Sequence, residues 1–310
     1  MTSDVQPVRV TDRPLGLSKN HMLLLLAVIL VLLAIGIALW LATAGPNLYP
    51  VRMNGKYGYM NKSGKLLIQP QFDRADLFTD GAAAVELNRK WGFIDRSGKM
   101  IVPLQYDLAD PFSDGLALVG IGAQLGYVDK SGKFVINPQF PGAGEFGEGK
   151  APVLVNGRWG YIDKTGKMVI NPQFEEAGTH SDGLAMIRLG AKFGYIDQSG
   201  KIAITPQFAS VGDFHEGLAP VKLGNKFGYI EKSGKVKIIP QFDAAGDFSD
   251  GLAPIETNGR WGYIDKSGRF VINPQFDMAG IFENGSAPVW ISNREGYINK
   301  SGRFVWNPMS

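Results

Sequence analysis

The sequence predicts an all-β tandem-repeat domain of eight 34-residue β-meander units. Gly or Pro recurs every six or seven residues after Ala44, with β-branched and aromatic residues between, a pattern that favours strands over helices. A second glycine lies six residues after each first glycine and keeps the same step, from Gly64 to Gly302. A constant period predicts that one supersecondary unit is stacked many times. The first glycine returns every 34 residues without insertion or deletion, at Gly58, Gly92, Gly126, Gly160, Gly194, Gly228, Gly262 and Gly296.

The chain begins with a short polar tail, residues 1–21, which precedes an uncharged apolar stretch, residues 22–44. As a helix rising about 1.5 Å per residue, this stretch would extend roughly 34 Å, enough to cross a hydrocarbon core of about 30 Å. We therefore predict a transmembrane helix that acts as a signal anchor. The alternative is a cleaved signal peptide, because Ala42-Thr43-Ala44 resembles a cleavage site. The apolar region of such signals is usually shorter, roughly 7–15 residues.

The cations around this stretch predict its orientation. Lys19 lies close to its start, whereas no charged residue follows it until Arg52. Positive residues accumulate on the cytoplasmic side, so we expect a cytoplasmic tail and a single-pass protein of the cell membrane. The repeat domain is then extracytoplasmic, periplasmic or external. Residues 45–50 are predicted to be a tether, and residues 51–308 the eight repeats.

Each unit is predicted to contain three strands, as the copy that begins at Gly217 illustrates. The first strand is expected over Leu218–Leu223, the second over Lys226–Glu231 and the third over Val236–Pro240. The first turn is Gly-Asn here and Asn-Gly in other copies, and Asn-Gly is preferred in two-residue hairpins because both positions need positive φ. The second turn carries the Ser-Gly sequence, entered from an acidic or amide side chain that can accept turn amides.

The composition of the strands indicates how the units associate. The third strand is apolar at three consecutive positions in almost every copy, which predicts a strand sandwiched between two layers. The first strand carries a recurring Ala, and the next position is Pro in five copies, which predicts an edge strand in a narrow place. Together these features favour blades around an axis, a β-propeller-like ring. An open β-solenoid is the alternative, because 34 residues are few for a four-stranded blade and no strand exchange closes the circle.

Composition excludes several classes of function. Cysteine is absent, so the chain has no disulfide framework, thiolate metal site or cysteine nucleophile. Of the 32 Lys and Arg and 29 Asp and Glu, residues 1–48 hold only three and two, so the repeats are nearly neutral. This balance argues against a nucleic-acid partner. Phosphate loops, nucleophile elbows and paired-histidine motifs are also missing, and we expect no cofactor, no metal and no enzymatic activity.

The repeated motif resembles that of the WG (KWG) repeat family of bacteria. The resemblance rests on Lys/Arg-aromatic-Gly-Tyr/Phe-Ile-Asp-Lys-Ser-Gly-Lys, followed by Asn-Pro-Gln-Phe and Phe-Ser-Asp-Gly-Leu-Ala, and covers residues 49–308. The aromatic position departs from the pattern at Leu125 and Glu295. The resemblance implies a repeat scaffold linked to cell envelopes or partner binding, and it carries no catalytic residue over.

Two recurring residue types are the candidate binding residues. An aromatic residue precedes each first glycine in six copies, and such a row either stacks on sugar rings or packs between blades. A cation precedes this position in seven copies, and these cations either form a basic rim or lie on solvated turns. The candidates are Trp91, Trp159, Trp261, Lys90, Arg158 and Arg260.

The regular loops favour a binding function over catalysis. Enzymes usually place their chemistry on irregular loops, whereas every connection here repeats at fixed length. We therefore predict a membrane-anchored scaffold that presents its β surface to a protein partner at the cell envelope. The alternative is a module that binds envelope glycan or another anionic polymer. Exposure of the tryptophans separates the two hypotheses.

Overall fold

The computed structural model describes residues 47–306, which form thirty strands and no helix. They group into eight sheets, one for each unit, which we number as blades 1 to 8. The first four blades contain β1 (Leu48–Met53), β2 (Lys56–Asn61) and β3 (Leu66–Phe72); β4 (Arg74–Ala75), β5 (Ala82–Leu87), β6 (Lys90–Asp95) and β7 (Met100–Tyr106); β8 (Leu108–Ala109), β9 (Ala117–Ile121), β10 (Gln124–Val128) and β11 (Phe134–Phe140); and β12 (Lys150–Val155), β13 (Arg158–Asp163) and β14 (Met168–Phe174).

The last four blades contain β15 (Glu176–Ala177), β16 (Leu184–Leu189), β17 (Lys192–Asp197) and β18 (Ile202–Phe208); β19 (Ser210–Val211), β20 (Leu218–Leu223), β21 (Lys226–Glu231) and β22 (Val236–Phe242); β23 (Ala244–Ala245), β24 (Leu252–Thr257), β25 (Arg260–Asp265) and β26 (Phe270–Phe276); and β27 (Met278–Ala279), β28 (Ser286–Ile291), β29 (Arg294–Asn299) and β30 (Phe304–Trp306). The three predicted strands of each unit are present, and the third continues two residues further, to Phe242 in blade 6.

Each blade is an antiparallel meander, and six of the eight begin with a two-residue strand absent from the prediction. In blade 6, Ser210 pairs with Lys222 and Val211 with Val221, which places β19 beside β20. Blade 1 has no such strand among the described residues, and in blade 4 a single bridge between Ala143 and Val153 takes its place. The short strand lies innermost, because carboxyl groups just after it interact across blades 2, 3 and 4 (see below). The predicted position of the first strand as an edge strand is therefore wrong in most blades.

The prediction that the third strand is sandwiched is also wrong. This strand is the last in each sheet and forms the outer edge of its blade. Ile170 of β14 is buried, whereas its neighbour Val169 is 43% exposed. The apolar run therefore has one face in the core and one in solvent. An exposed Lys167 precedes this edge, and a charged residue there disfavours strand pairing between molecules.

The glycine of each aromatic-Gly motif lies beside the backbone of the third strand. A Cβ atom on Gly160 would be 2.5 Å from the carbonyl oxygen of Ile170 and 2.7 Å from the nitrogen of Pro172. The pairing of β13 with β14 shifts register on either side of this glycine, from Trp159–Phe174 to Tyr161–Ile170. A bulge thus brings the two backbones together, and only glycine fits between them.

Neighbouring blades are joined by a repeated aromatic pair. Tyr229 of blade 6 packs against Phe248 of blade 7 with ring centroids 4.9 Å apart, and its hydroxyl group donates to the carbonyl oxygen of Gly246 at 2.8 Å. Blade 5 has His180 in place of the phenylalanine, and its imidazole packs on Tyr161 of blade 4 with ring centroids 4.8 Å apart. Burial lowers the pKa of His180, which keeps the ring neutral in this packing position.

The eighth blade contacts the first, so the units close into a ring. The hydroxyl group of Tyr297 in blade 8 donates to the carbonyl oxygen of Pro50 in blade 1 at 3.0 Å. Tyr49 packs against Tyr297 with centroids 5.4 Å apart, and Met60 and Trp306 join the same apolar cluster. The β-propeller-like prediction is confirmed, and the open solenoid is excluded. Blades 1 and 8 share no strand, as expected from the absence of a strand exchange.

The predicted tail and transmembrane helix, residues 1–21 and 22–44, lie outside the described residues. Within residues 47–306 there is no helix with the length and hydropathy of a membrane span. Strand β1 begins at Leu48, so the end of the predicted tether, residues 45–50, belongs to the first blade.

Candidate interaction surface

The predicted cations lie on one face of the ring, which we call the hairpin face because it carries the turns between first and second strands. Lys90, Arg158 and Arg260 each begin a second strand. Each forms an ion pair with an acidic residue that follows the third strand of the same blade. The Lys90 Nζ–Asp107 Oδ1 distance is 2.6 Å and the Arg158 Nη1–Glu175 Oε1 distance is 3.4 Å, and Arg260 contacts Asp277.

These acidic residues also bind the next blade. The second carboxylate oxygen of Asp107 accepts the backbone N–H of Gly122 at 2.8 Å, and that of Asp277 accepts the N–H of Ser292 at 2.6 Å. The hydrogen bond from Lys90 and the N–H of Gly122 lower the pKa of Asp107. The cations are therefore parts of a tie between neighbouring blades, which leaves less of their charge for an external polymer.

The tryptophans lie beside these cations and contribute to the packing between blades. Trp91 is 9% exposed and belongs to the core cluster of blades 2 and 3. The guanidinium of Arg74 lies 5.6 Å from the centroid of its ring. Trp159 and Trp261 are half-buried against the clusters at their own blade interfaces. The structure thus places all six predicted residues on one face, distributed over blades 2, 4 and 7.

Sequence reasoning missed two inner positions of each unit, which are among the most variable in the copies. One is the first residue of the short strand, and the other is the residue of the first strand that pairs with it. The first set comprises Arg74, Leu108, Gly142, Glu176, Ser210, Ala244 and Met278. The second set comprises Arg52, Glu86, Gly120, Leu154, Arg188, Lys222, Glu256 and Trp290. An alignment of the eight units with one another contains this signal.

These variable positions adjoin the aromatic row. Glu86 pairs directly with both Arg74 and Trp91, and directly opposed residues point to the same side of a sheet. The side chains confirm this geometry, because the Arg74 Nε–Glu86 Oε2 distance is 2.7 Å. In blade 6, the Nζ of Lys222 lies 5.5 Å from the centroid of the Phe227 ring. The hairpin face therefore presents a different combination of charged and apolar groups in each blade.

A cavity opens between the inner strands of blades 2 and 3. Its volume is about 560 Å³, and its lining includes Arg74, Glu86, Trp91, Asp76 and Asp110. Volumes of this size are typical of ligand pockets. The lining is largely polar, which suits a side chain of a protein partner better than an apolar small molecule.

Half-buried carboxyl groups follow the short inner strands, and two of them, Asp76 and Asp110, line this cavity. Burial and the neighbouring Asp110 raise the pKa of Asp76 to about 6. Burial raises the pKa of Glu145 too, with smaller contributions from Asp110 and Asp76, which belong to other blades. Burial raises the pKa of Asp247 to about 6 as well, partly opposed by His215, whose Nε2 lies 3.8 Å from its Oδ2. Within the described range, no three acidic or histidine side chains converge as a metal site would require.

The opposite face is far more uniform. It carries the Ser-Gly turns and a second set of turns with Asp-Gly or Glu-Gly, and the same contact recurs from blade to blade. Asp114 accepts the backbone N–H of Gly149 from the next blade at 2.6 Å, and Lys164 of that blade donates to the carbonyl oxygen of Asp114 at 2.6 Å. A face on which each unit repeats the same residues offers little to distinguish one partner from another.

A family model described as "WG containing repeat" matches the chain seven times. The matched residues are 57–91, 91–122, 126–159, 159–193, 193–227, 227–261 and 261–289. Among curated proteins, none matches the sequence significantly.

Three solved structures resemble the chain at low sequence identity. A crystal structure of the eukaryotic initiation factor superposes with a TM-score of 0.54 at 12% identity, over 84% of this chain and 83% of that chain. KlHsv2 with loop 6CD replaced by a Gly-Ser linker gives 0.46 at 7% identity, over 73% and 88%. PorZ, a bacterial surface component of the type-IX secretion system of Porphyromonas gingivalis, gives 0.37 at 15% identity, over 81% and 43%. At these identities the first match supports the fold alone.

Proposed function

The chain belongs to the WG-containing repeat family, and from this premise we propose that it is a non-enzymatic scaffold that binds a protein partner on its hairpin face. One observation carries the proposal. In a chain whose units repeat most of their residues, two of the most variable positions of each unit lie side by side on that face, around the inner strands. Packing requires similar residues at equivalent positions, so differences at these positions are free to serve recognition.

The chemistry of these positions suits a protein surface. Met278 is 59% and Leu108 40% exposed, and the corresponding inner positions of other blades carry the charged residues Arg74, Glu176 and Lys222. Protein interfaces combine apolar anchors with charges of both signs in this way. An anionic polymer would require a continuous positive surface, whereas Lys90, Arg158 and Arg260 are paired with acidic residues. Glycan or anionic-polymer binding is therefore the second candidate.

The test is affinity capture with the full chain and two matched surface variants. Leu108→Glu places a charge on the hairpin face, and Val135→Glu places one on the outer strand at a similar exposure, 40% against 44%. We expect proteins retained by the wild type to be retained by Val135→Glu and lost with Leu108→Glu, while circular dichroism shows both variants folded. Retention of the same proteins by Leu108→Glu would exclude the hairpin face. Retention of polysaccharide without protein would favour the second candidate.

We propose in addition that residues 22–44 anchor the protein in the cell membrane, with the repeat domain outside the cytoplasm at the envelope. The length of the uncharged stretch and the position of Lys19 support this proposal. Native protein should remain in the membrane fraction after alkaline carbonate extraction and should keep its N-terminal residues. A mature chain that begins at Gly45 would identify the stretch as a cleaved signal peptide.

A further inference from the structure

The junctions between consecutive blades have three equivalent positions on the hairpin face. They are the first residue of the second strand, the residue that follows the third strand, and the hairpin turn of the next blade. Asp243 shows the complete arrangement, which we call the hairpin tie. Its Oδ1 binds Lys226 of the same blade, and its Oδ2 accepts the N–H of Asn258 in the next blade at 2.9 Å. The same tie is formed at three other junctions by Asp73, Asp107 and Asp277.

Two junctions have no carboxylate at the central position. Blade 3 has Pro141 there, and its second strand begins with Gln124 in place of a cation, so both halves of the ion pair are missing. Blade 5 has Ala209 there but keeps the cation, Lys192. Among the seven junctions within residues 47–306, the one between blades 5 and 6 therefore combines the cation of the tie with no acidic residue to bind it.

The backbone of this junction is that of a complete tie. The strand register on either side of Ala209 is the same as at the junction between blades 2 and 3. Gly224 lies in the hairpin turn of blade 6 with a φ of 64°, close to the 59° of Gly122, whose N–H donates to Asp107. Ala209 and Lys192 are exposed, and no atom lies within 4 Å of where a Cβ on Gly224 would be. A carboxylate from outside the chain can therefore reach both donors.

The surroundings of this junction are basic. Lys222 pairs with Ser210, the residue after Ala209, and its Nζ lies 5.5 Å from the centroid of the Phe227 ring. In the described part of the chain, neither Lys192 nor Lys222 forms an ion pair. Two ammonium groups without acidic partners thus lie at one junction of a nearly neutral ring, a combination that attracts a negative charge.

We propose that the junction between blades 5 and 6 binds an acidic side chain of the protein partner. One oxygen of its carboxylate accepts a hydrogen bond from the Nζ of Lys192 and the other from the N–H of Gly224, as the two oxygens of Asp243 do at the next junction. The inference rests on the proposed scaffold function and specifies the chemistry of the partner, an Asp or Glu at the interface. Hydrogen bonds between ionised groups are stronger and more directional than neutral ones, so this contact also orients the partner.

Acetate is the probe for the site itself, and NMR of the isotope-labelled full chain measures its binding. We expect the amide proton of Gly224 to shift downfield as sodium acetate is added, and that of Gly122, which already donates to Asp107, to stay constant. Lys192→Gln should weaken the acetate affinity at Gly224 about tenfold, because the charged donor is lost. No response of Gly224 to acetate, or an equal response to sodium chloride at the same ionic strength, would overturn the site.

Ala209→Asp supplies the carboxylate from within the chain and tests its role in partner binding. Ala203→Asp is the matched control, because it is the same substitution at an exposed position of the same blade, on the outer strand β18. We expect proteins captured by the wild type to bind Ala209→Asp about tenfold more weakly and Ala203→Asp equally well. Ala209→Asp should also raise the urea midpoint, and should not do so together with Lys192→Gln.

The outcomes separate this inference from the scaffold function. If Leu108→Glu loses the captured proteins while Ala209→Asp binds them as tightly as the wild type, the hairpin face binds its partner and the acidic contact is wrong. If the wild type captures no protein, the scaffold function is wrong, whereas the acetate titration still shows or excludes a carboxylate site. Loss of a captured polysaccharide from Ala209→Asp, with no protein involved, would assign the junction to an anionic polymer and overturn the acidic side chain.

Discussion

The residues that recur in all eight units stabilise the ring. The glycine before each Tyr or Phe leaves room for the backbone of the third strand, and the tyrosine hydroxyl group donates a hydrogen bond to a carbonyl oxygen of the next blade. Two inner positions vary among units, and several of their side chains, such as Leu108 and Met278, meet solvent. A residue in this chain can therefore be assigned to structure or to recognition by its recurrence at the 34-residue step.

Replacing Gly160 by Val should destabilise the protein by at least about 3 kcal/mol, because its Cβ would overlap Ile170 O and Pro172 N. Lys164→Ala is the comparison in the same blade. Lys164 is 45% exposed on a turn, so its loss should cost less than about 1 kcal/mol. Denaturant titrations measure both, and equal unfolding midpoints would contradict the close-approach role of the glycine.

The carboxyl groups at the axis predict an unusual pH dependence. The pKa of Asp76 is about 6 in the fold against 3.8 in the unfolded chain. The contribution of this carboxyl group to the free energy of unfolding is therefore complete below pH 3.8 and is lost as the pH rises through 6. Asp76→Asn should therefore raise the free energy of unfolding at pH 8 by about 1–2 kcal/mol, after allowance for solvent screening, and change little at pH 4.5. Urea titrations at the two pH values measure this.

Asp265 is the control, because its turn hydroxyl and amide partners lower its pKa to about 2. Its contribution is present above pH 3.8 and is lost as the pH falls through 2, the opposite sign. Asp265→Asn should not stabilise the protein at pH 8. A gain at pH 8 for both variants would indicate a general effect of net charge in place of burial at the axis.

At the scale of elements, each blade is completed by its neighbour. The acidic turn and the hairpin tie connect consecutive units, so a blade in isolation would expose most of its core. In the described residues, the apolar clusters lie across blade boundaries, as with Tyr263 of blade 7 beside Phe282 and Ala287 of blade 8. The interface between blades is thus the unit of stability, as in other repeat architectures.

The turn that accepts a glycine N–H should be a measurable part of this interface. Asp182 accepts the N–H of Gly217 at 2.6 Å and has a φ of 55°. Asp182→Ala loses both the charged hydrogen bond and the tolerance of a left-handed backbone, and should cost about 2–3 kcal/mol in thermal or urea unfolding. Asp182→Asn keeps that tolerance and a polar acceptor, as Asn284 does in blade 8, and should cost about half as much. Equal losses would show that backbone conformation contributes nothing.

Local elements could be predicted from the sequence, and their order from the axis outwards could not. The turn glycines and Asn-Gly pairs bound the strands closely, so β20 and β21 coincide with the predicted ranges. The inner strand β19 has only two residues, too few for a periodic pattern. The third strand has the apolar content of a buried strand, and its exposed Val169 and Val271 could not be distinguished from core residues. The binding candidates were chosen for recurrence, which indicates packing, and the variable positions beside them were therefore missed.

At the scale of the whole molecule, eight units surround one axis, and the ring closes where blade 8 contacts blade 1. Every interface but this one is held by chain connectivity as well as by packing. The angle between blades is therefore set by the number of units, and each interface depends on all the others being present.

Deleting one internal unit, residues 183–216, should lower the unfolding midpoint sharply, because seven blades must either tilt to close or expose two flanks. Calorimetry and small-angle scattering measure the midpoint and the dimensions. A variant that unfolds cooperatively near the wild-type midpoint and is merely smaller would contradict the dependence of the interfaces on ring closure. The deletion keeps the register of all remaining units, since it removes one full 34-residue step.

The absence of a strand shared by blades 1 and 8 has a consequence for biosynthesis. Each sheet is made of residues that leave the ribosome consecutively, so blades can form in the order of translation, each on the one before it. Tyr297, which bonds Pro50, lies in the eighth blade. The flank of the first blade thus stays uncovered until the eighth blade has been synthesised, and a ribosome stalled within that blade would hold a nascent chain with both flanks of an incomplete ring open to chaperones.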